Sequence, residues 1–194
     1  MVISSKCLGR MREDLFFLLK RNAFFKRRVR LSSGKISNYY IDVRRVSLTS
    51  RGIYLISHLI WEEVKKDDIS AIGGPTLGAD PLVSGVCMVA YNQGKELRGF
   101  LVRKESKKYG QKRLIEGSEL KEGERVVLVD DVATTGASLV KVIRILKKQK
   151  VEVVKTVVVV DRKEGAEENL AKCRCPLISI FTNHDFLEEK NADE

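Results

Sequence analysis

Two adjacent carboxylates, Asp130 and Asp131, stand between an apolar run and a short segment of small and hydroxylated residues. The apolar run, residues 126–129, has the composition of a strand that is buried on both faces of a parallel sheet. Carboxylates bind sugar hydroxyls or a magnesium ion that bridges phosphates. The hydroxylated segment, residues 133–138, runs into a helical pattern, and the free amides of a first helical turn bind anions such as phosphate. Because ligands bind beyond the carboxyl ends of strands in open α/β sheets, this order predicts a sugar-phosphate site.

The same stretch resembles the phosphoribosyl diphosphate (PRPP) binding motif of the type I phosphoribosyltransferases, in which apolar residues, two acids and a hydroxylated loop occur in this order. The resemblance implies that the acids hold the ribose hydroxyls and that the loop binds the 5′-phosphate. The residues assigned to PRPP in this way are Asp130, Asp131, Val132, Ala133, Thr134, Thr135, Gly136, Ala137 and Ser138. The alternative is an ordinary strand-to-helix turn with an Asp cap, but such a cap needs one acid and no hydroxyl-rich loop.

A second signature lies near the N-terminus, where residues 31–42 read Leu-Ser-Ser-Gly-Lys-Ile-Ser-Asn-Tyr-Tyr-Ile-Asp. It resembles the N-terminal signature of the orotate phosphoribosyltransferases, which the adenine and hypoxanthine transferases do not carry. Together with an Asp-Arg pair after a later strand, it implies orotate contacts from Lys35, Tyr39, Tyr40, Thr134 and Arg162. An aromatic ring can stack on a planar pyrimidine, and a cation can pair with its carboxylate. A surface turn beside core tyrosines, and an Arg162 paired with Asp161 or Glu164, remain the alternatives.

A basic segment at residues 103–113 follows the predicted strand at 97–104. It resembles the mobile catalytic loop of the orotate enzymes, which implies PRPP contacts from Arg103, Lys104, Lys107 and Tyr109. The catalytic residues would then be Arg103, Lys104, Lys107, Asp130 and Asp131. Many relatives have histidine where this chain has Tyr109, and a tyrosine with a reference pKa of about 10 is a poor proton carrier at neutral pH. Like charges and the lack of apolar anchors at residues 105–113 predict that this part of the segment is disordered without ligand, and a solvated basic loop is the alternative.

A glycine-rich loop is predicted at residues 73–81, after a short buried strand at 69–72. In the family this position is the diphosphate loop, and glycine-rich loops offer backbone amides to anions. Some relatives carry a lysine in the loop where this sequence has Gly78. Any contact with diphosphate must therefore come from the amides or from Thr76.

The net charge of +10 is spread over basic groups at residues 26–30, 103–113 and 147–150. No aromatic residues interleave them as on a single-strand binding platform, and no helix-turn-helix or zinc-finger signature is present, so a nucleic-acid partner is not expected. No apolar run reaches membrane-spanning length, and charges stand where a signal peptide needs its apolar centre. The four cysteines form neither a disulfide framework nor a metal knuckle. We therefore expect a cytoplasmic protein without a membrane partner.

The hydrophobic patterns predict an α/β fold, with a mostly parallel twisted sheet flanked by helices. Helices are predicted at residues 11–22, 49–66, 82–90 and 139–149, with a short one ending at 172. Strands are predicted at residues 29–31, 39–43, 69–72, 97–104, 126–129, 151–160 and 176–181, the first two forming a hairpin around a turn at 32–38. Residues 1–194 would form one domain, with a small hood at about 1–45, a core at about 46–182 and a polar tail from 183.

The resemblance covers residues 11–181 and implies an orotate phosphoribosyltransferase of de novo pyrimidine (UMP) biosynthesis. Such an enzyme converts orotate and PRPP into orotidine 5′-phosphate and diphosphate, with a Mg²⁺ that the substrate diphosphate mainly holds. The resemblance also implies a homodimer whose catalytic loop reaches the active site of the partner subunit. Two alternatives remain: a phosphoribosyltransferase for another base, which predicts no role for Lys35 or Arg162, and a PRPP-sensing regulator that binds nucleic acid, which would not need the basic loop.

Overall fold

A six-stranded sheet forms the centre of the protein in a computed structural model, which describes residues 4–30, 36–105 and 114–187. The helices are α1 (Ser5–Asn22), α2 (Arg44–Ser47), α3 (Ser50–Val64), α4 (Ala79–Asn92), α5 (Ala137–Lys148), α6 (Ala166–Ala171) and α7 (Asn183–Leu187). The strands are β1 (Phe24–Phe25), β2 (Val29–Arg30), β3 (Ile36–Ser37), β4 (Tyr40–Ile41), β5 (Ala71–Pro75), β6 (Arg98–Val102), β7 (Ile115–Gly117), β8 (Arg125–Ala133), β9 (Glu152–Asp161) and β10 (Leu177–Thr182).

The central sheet has the strand order β10-β9-β8-β5-β6-β7. All neighbouring strands are parallel except β7, which runs antiparallel to β6 at one edge. The central strands β8 and β9 are rich in valine, as expected for strands that are covered by helices on both faces. The predicted α/β fold with a mostly parallel sheet flanked by helices is confirmed.

The two faces of the sheet are covered by separate apolar cores. Val127 and Val129 of β8 pack in the core that contains the buried residues of α1, α3 and α4. Val126 and Leu128 point to the opposite face and pack with the buried residues of α5 and α6. This alternation follows from the period of two along a strand, and it leaves the strand ends as the place where polar side chains can gather. None of the described helices is long and apolar enough to cross a membrane.

Two helix starts show how local sequence sets the boundaries. The Thr49 side chain accepts a hydrogen bond of 3.1 Å from the Gly52 amide and caps α3. Helix α1 begins at Ser5 rather than near residue 11, because Ser4 caps it by accepting a hydrogen bond from the Cys7 amide. The predicted start of α1 was therefore wrong.

Two strands run further than their sequence patterns predicted. Strand β8 continues through the acid pair to Ala133. The acids therefore lie within the last residue pairs of the β8–β9 ladder rather than beyond it. Strand β5 includes Gly73 and Gly74, which were assigned to the glycine-rich loop. At both glycines an added Cβ would collide with a neighbouring strand, at Phe100 and at the Val129 carbonyl, so here glycine permits close strand contact. Since α4 already begins at Ala79, only residues 76–78 form the loop.

The hood contains two short antiparallel pairs instead of the single predicted hairpin. Strand β1 pairs with β4, and β2 pairs with β3, whose residues were assigned to the turn. Ring contacts accompany the first pair, since Phe25 and Tyr40 stack with ring centroids 6.5 Å apart. The predicted strand at 29–31 is present, but its pairing with residues 39–43 was wrong.

The predicted polar tail begins with a folded helix, α7, rather than with loose chain. Asp185 Oδ2 accepts a hydrogen bond of 2.6 Å from the Thr182 amide at the start of this helix. The buried Phe186 ring stacks on Phe16 at 5.3 Å and on Phe24 at 5.7 Å. The end of the described chain is therefore packed against α1 and the hood.

Phe186→Ala is expected to lower the free energy of unfolding by about 3 kcal/mol, because it removes a buried ring from a stacked cluster. Urea denaturation followed by circular dichroism measures this difference. The matched control is Phe17→Ala on α1, whose ring is 66% exposed and should cost much less. Equal losses from the two substitutions would show that α7 adds no stability through Phe186.

Candidate active site

A cavity of about 490 Å³ opens at the carboxyl edge of the sheet. Its walls come from the hood, the loop after β5, the residues after β6, the end of β8 with the loop that follows it, and the residue after β9. The lining residues are Tyr40, Ile41, Asp42, Arg44, Pro75, Thr76, Leu77, Gly78, Lys104, Asp130, Asp131, Val132, Thr134, Ser138 and Arg162. Parallel strands that end together bring these distant segments to one place.

The acid pair forms the floor of the cavity. The Asp130 residue is only 6% exposed, and its Oδ1 accepts a hydrogen bond of 2.9 Å from the Asp131 amide. Asp131 Oδ1 in turn accepts a hydrogen bond of 2.8 Å from the Val132 amide. Burial, followed by the neighbouring charge of Asp131, holds the pKa of Asp130 well above its usual range. Burial also raises the pKa of Asp131, against the lowering effects of the Val132 amide, of Asp130 and of the nearby Arg44.

The loop after β8 presents the start of α5 to the cavity. Gly136 has a φ of 70°, a conformation that favours glycine, and it turns the chain directly into the helix. No described side chain caps α5, so its first-turn amides can donate to an anion. Ser138 Oγ donates a hydrogen bond of 3.4 Å to Asp130 Oδ2, which links the loop after β8 to the acid pair. This arrangement can hold a phosphate beside two carboxylates.

Arg162 is the cation at the opposite end of the cavity, next to the hood. It is only 3% exposed, and its Nε donates a hydrogen bond of 2.9 Å to Glu164 Oε1. Its Nη2 donates a hydrogen bond of 3.0 Å to Ser37 Oγ, and its guanidinium carbon lies 4.4 Å from the centre of the Tyr39 ring. The alternative of an arginine paired with Glu164 is therefore present in the structure, but the same side chain also lines the cavity. Glu164, Ser37 and Tyr39 hold it in one orientation.

The structure brings eight of the predicted site residues to this cavity. Tyr40, Lys104, Asp130, Asp131, Val132, Thr134, Ser138 and Arg162 line it, whereas Tyr39 supports Arg162 from outside the lining. Ala133 is buried, and its carbonyl accepts a hydrogen bond of 2.9 Å from the Arg162 amide. Thr135 and Ala137 face a separate cleft along α5. Three predicted residues, Lys35, Lys107 and Tyr109, lie outside the described residues.

Arg103 does not line the cavity. Its Nη1 lies 3.6 Å from Glu116 Oε1, and its amide donates a hydrogen bond of 2.9 Å to the Leu114 carbonyl. Both contacts direct the residue towards the β7 side of the sheet. Lys104, one position later, lies at the cavity.

Sequence reasoning missed Arg44, which lines the cavity beside the loop of residues 76–78. Its Nε lies 2.9 Å from Asp42 Oδ1, and this ion pair together with the hydrogen bond raises the pKa of Arg44. The one available signal was its position, two residues after the aspartate that closes the N-terminal signature.

Gly78 lies directly against the acid pair. A Cβ at this position would collide with Asp130 Oδ1 and with Asp131 Oδ1. No larger residue fits here unless the carboxylates shift, so the short loop offers backbone amides and Thr76 to a ligand.

The comparisons with known proteins agree with this geometry. A family profile described as "Phosphoribosyl transferase domain" matches residues 54–188. The orotate phosphoribosyltransferase of Aquifex aeolicus (strain VF5) is 42% identical over 158 residues, which cover 81% of this chain and 86% of that protein. The chain belongs to the orotate phosphoribosyltransferase family.

Solved structures of orotate phosphoribosyltransferases share the fold. The Mycobacterium tuberculosis H37Rv enzyme in complex with Fe(III) dicitrate has a TM-score of 0.79 and 37% identity, and the match covers 92% of this chain and 99% of that one. The same enzyme in complex with PRPP has a TM-score of 0.75 and 36% identity, covering 91% of this chain and 98% of that one. The predicted family, enzyme class and function are confirmed, whereas the roles of individual residues stay predictions.

The raised pKa of Asp130 predicts a stability effect with a defined pH dependence. A raised folded-state pKa means that the folded protein binds this proton more tightly than the unfolded chain, so stability falls as pH rises above the ordinary Asp pKa of about 4. Asp130→Asn removes that cost and is expected to raise the free energy of unfolding at pH 7. The gain should shrink towards pH 4, where the wild-type carboxyl is protonated in the folded state.

Urea denaturation at a series of pH values measures the Asp130→Asn difference. Asp68→Asn is the control, because the Asp68 side chain is 99% exposed and carries no comparable burial. A loss of stability at pH 7 in Asp130→Asn would show that the hydrogen bonds of the carboxylate outweigh its desolvation.

Proposed function

We propose that this chain transfers the 5-phosphoribosyl group of PRPP to orotate, giving orotidine 5′-phosphate and diphosphate in pyrimidine (UMP) biosynthesis. The observation that carries the proposal is the cavity at the carboxyl edge, where a buried acid pair, an uncapped helix start and a buried arginine face one space. These three features suit a ribose, a phosphate and an acidic base, respectively. Membership of the orotate phosphoribosyltransferase family supports the same conclusion.

The acid pair and the loop after it would bind the ribose 5-phosphate half of PRPP. Asp130 and Asp131 accept hydrogen bonds from the ribose hydroxyls, and their carboxylates lie close to the carbon at which positive charge develops. The loop at residues 133–138 places the amides of α5 around the 5′-phosphate. Ser138 connects the two groups, so a shift of the loop would also disturb the acids.

Orotate would bind between the hood and Arg162. The fixed guanidinium suits the carboxylate or an imide carbonyl of the base, and Tyr40 and Thr134 are placed to border the ring. By the family resemblance Lys35 supplies a second cation from the hood. An acidic pyrimidine therefore matches this end of the cavity better than a purine.

The reaction is a displacement at the anomeric carbon of the ribose. A nitrogen of orotate forms the new bond to this carbon while the bond from the carbon to the diphosphate oxygen breaks, through a transition state with oxocarbenium character. The leaving diphosphate takes the electron pair and can accept the proton that the orotate nitrogen loses. Cations stabilise the charge that accumulates on the diphosphate oxygens. Lys104 lies at the cavity for this role, and Arg103 and Lys107 would join it when the basic segment closes over the substrates.

Mg²⁺ accompanies PRPP in the phosphoribosyltransferase family, and the oxygen donors of the acid pair are of the type it prefers. Within the described ranges, no group of three or more His, Cys, Asp or Glu side chains is arranged to hold a metal ion. We therefore assign the ion mainly to the diphosphate of the substrate, where it would neutralise phosphate charge.

The assembly and location belong to the same proposal. We infer one domain over residues 1–194, because rings of α1 and the hood pack on α7 at the other end of the chain. We also infer a homodimer in which the basic segment reaches the site of the partner subunit, acting on small molecules in the cytoplasm without nucleic-acid or membrane partners.

A base panel tests the substrate. With PRPP and Mg²⁺ present, orotate should release diphosphate, whereas uracil and adenine should be poor substrates, because they leave the cations of the base site unpaired. Discrimination of several powers of ten is typical of such sites. Comparable rates with adenine would overturn the orotate assignment, although the PRPP site could still stand.

Mixing two inactive variants tests the shared site. Asp130→Asn/Asp131→Asn should lose measurable turnover while it stays folded, and Lys107→Ala should lower kcat more than it weakens PRPP binding.

If loops act across the dimer, mixing the two variants restores partial activity, because each heterodimer contains one intact composite site. The control mixes each variant with itself. If activity does not recover although subunit exchange has been demonstrated, each loop must act over the cavity of its own subunit.

A further inference from the structure

Arg44 is the one cation among the described lining residues of the cavity to which neither the sequence motifs nor the reaction gives a role. Arg44 and Leu77 line this cavity and also a neighbouring cleft, so Arg44 lies near the short loop of residues 76–78 after β5. Its side chain is 42% exposed, so a ligand in the cavity can reach it. We propose that Arg44 binds the diphosphate group of PRPP and stabilises it as the leaving group. This inference rests on the proposed function, since it concerns the same cavity and the same substrate.

The short loop cannot supply a cation of its own. Position 78 has no room for a side chain unless the acid pair shifts, because a Cβ there would collide with both of its carboxylates. The other members of the loop, Thr76 and Leu77, are uncharged. A diphosphate at this loop therefore needs a cation from another element, and Arg44 at the start of α2 is adjacent.

The other two cations at the cavity come from other elements of the fold. Among the described lining residues, only Arg44, Lys104 and Arg162 are cationic. Arg162 lies at the base end, where Glu164 and Ser37 hold it. Lys104 stands at the end of β6, and its carbonyl accepts a hydrogen bond of 2.7 Å from Lys141 Nζ on α5. Arg44 is thus the cation that comes from the hood side, facing the loop of residues 76–78.

The guanidinium of Arg44 is held in a way that suits an anion. Asp42 Oδ1 lies 2.9 Å from Nε, which leaves the two terminal nitrogens as the donors that can form a fork around phosphate oxygens. The backbone around Asp42 is fixed, since its amide donates to the Ala23 carbonyl and its carbonyl accepts from the Arg45 amide. Asp42 therefore acts as a positioning residue for Arg44.

The charges around the cavity give a second reason to assign the diphosphate to Arg44. Three carboxylates, Asp42, Asp130 and Asp131, line the cavity into which a polyanion must enter. Arg44 attracts Asp131 and offsets part of the negative potential at the place where the diphosphate would arrive. As the bond to the anomeric carbon breaks, its electron pair moves to the diphosphate, and the guanidinium can stabilise that charge without giving up a proton.

Arg44→Gln tests the inference against Arg45→Gln, a matched control one residue away. Arg45 is exposed, packs over the Phe25 ring at 4.9 Å and does not line the cavity. Calorimetry would measure the affinities for inorganic diphosphate, for ribose 5-phosphate and for orotate, and steady-state kinetics would give KM for PRPP and kcat. Arg44→Gln should weaken diphosphate binding about tenfold or more, as expected for a lost charge-assisted contact. It should leave the affinities for ribose 5-phosphate and orotate nearly unchanged, and Arg45→Gln should leave all three nearly unchanged.

Two results would overturn the inference. Equal diphosphate affinity in Arg44→Gln and Arg45→Gln would show that Arg44 does not bind this group. An equal loss for ribose 5-phosphate and for diphosphate would show that Arg44 acts only by holding Asp131. Arg44→Lys keeps the charge but loses the fork, so it should bind diphosphate more tightly than Arg44→Gln. If Arg44→Lys binds no more tightly than Arg44→Gln while its melting temperature is unchanged, this result would also count against a charge contact. Diphosphate binding does not depend on the base. If the wild-type chain did not use orotate as a substrate, the proposed function would be overturned but the diphosphate test of Arg44 would stay valid.

Discussion

The burial of two neighbouring carboxylates at the end of the central strand is the constraint on which the rest of the site depends. Asp130 and Asp131 stay in this position because backbone amides of β8 and the Ser138 hydroxyl donate to them. Their burial still raises both pKa values, so the fold keeps an electrostatic cost that a core of apolar residues would avoid. Gly78 shows how tightly the surroundings enclose the pair, since even one added carbon would collide with it.

The hood and the sheet supply different parts of the cavity wall. The sheet supplies the acid pair and the start of α5 at strand ends, where backbone geometry fixes them. The hood supplies the surroundings of Arg162, through the Ser37 hydroxyl and the Tyr39 ring. The two halves of the cavity come from distant parts of the chain.

The sequence predicted the parts of the site that lie next to strong local patterns. The acid pair and Arg162 each follow a long apolar run, so their place at the carboxyl edge was readable. The hood strands have two residues each, which is too short for alternation to reveal their pairing. Gly73 and Gly74 looked like loop residues, because only the neighbouring strands explain them. Arg44 had no local pattern, and α7 was hidden by polar residues around the single buried ring of Phe186.

The ring stack behind Arg162 also orders events during synthesis of the chain. Phe186 stacks on Phe24, Phe24 stacks on Tyr39 at 5.7 Å, and Tyr39 carries the guanidinium of Arg162. Phe186 leaves the ribosome after every other member of this stack, and after the whole sheet. The Arg162 end of the cavity therefore gains its last ring contact from a residue that is synthesised after the acid pair and the loop that follows it.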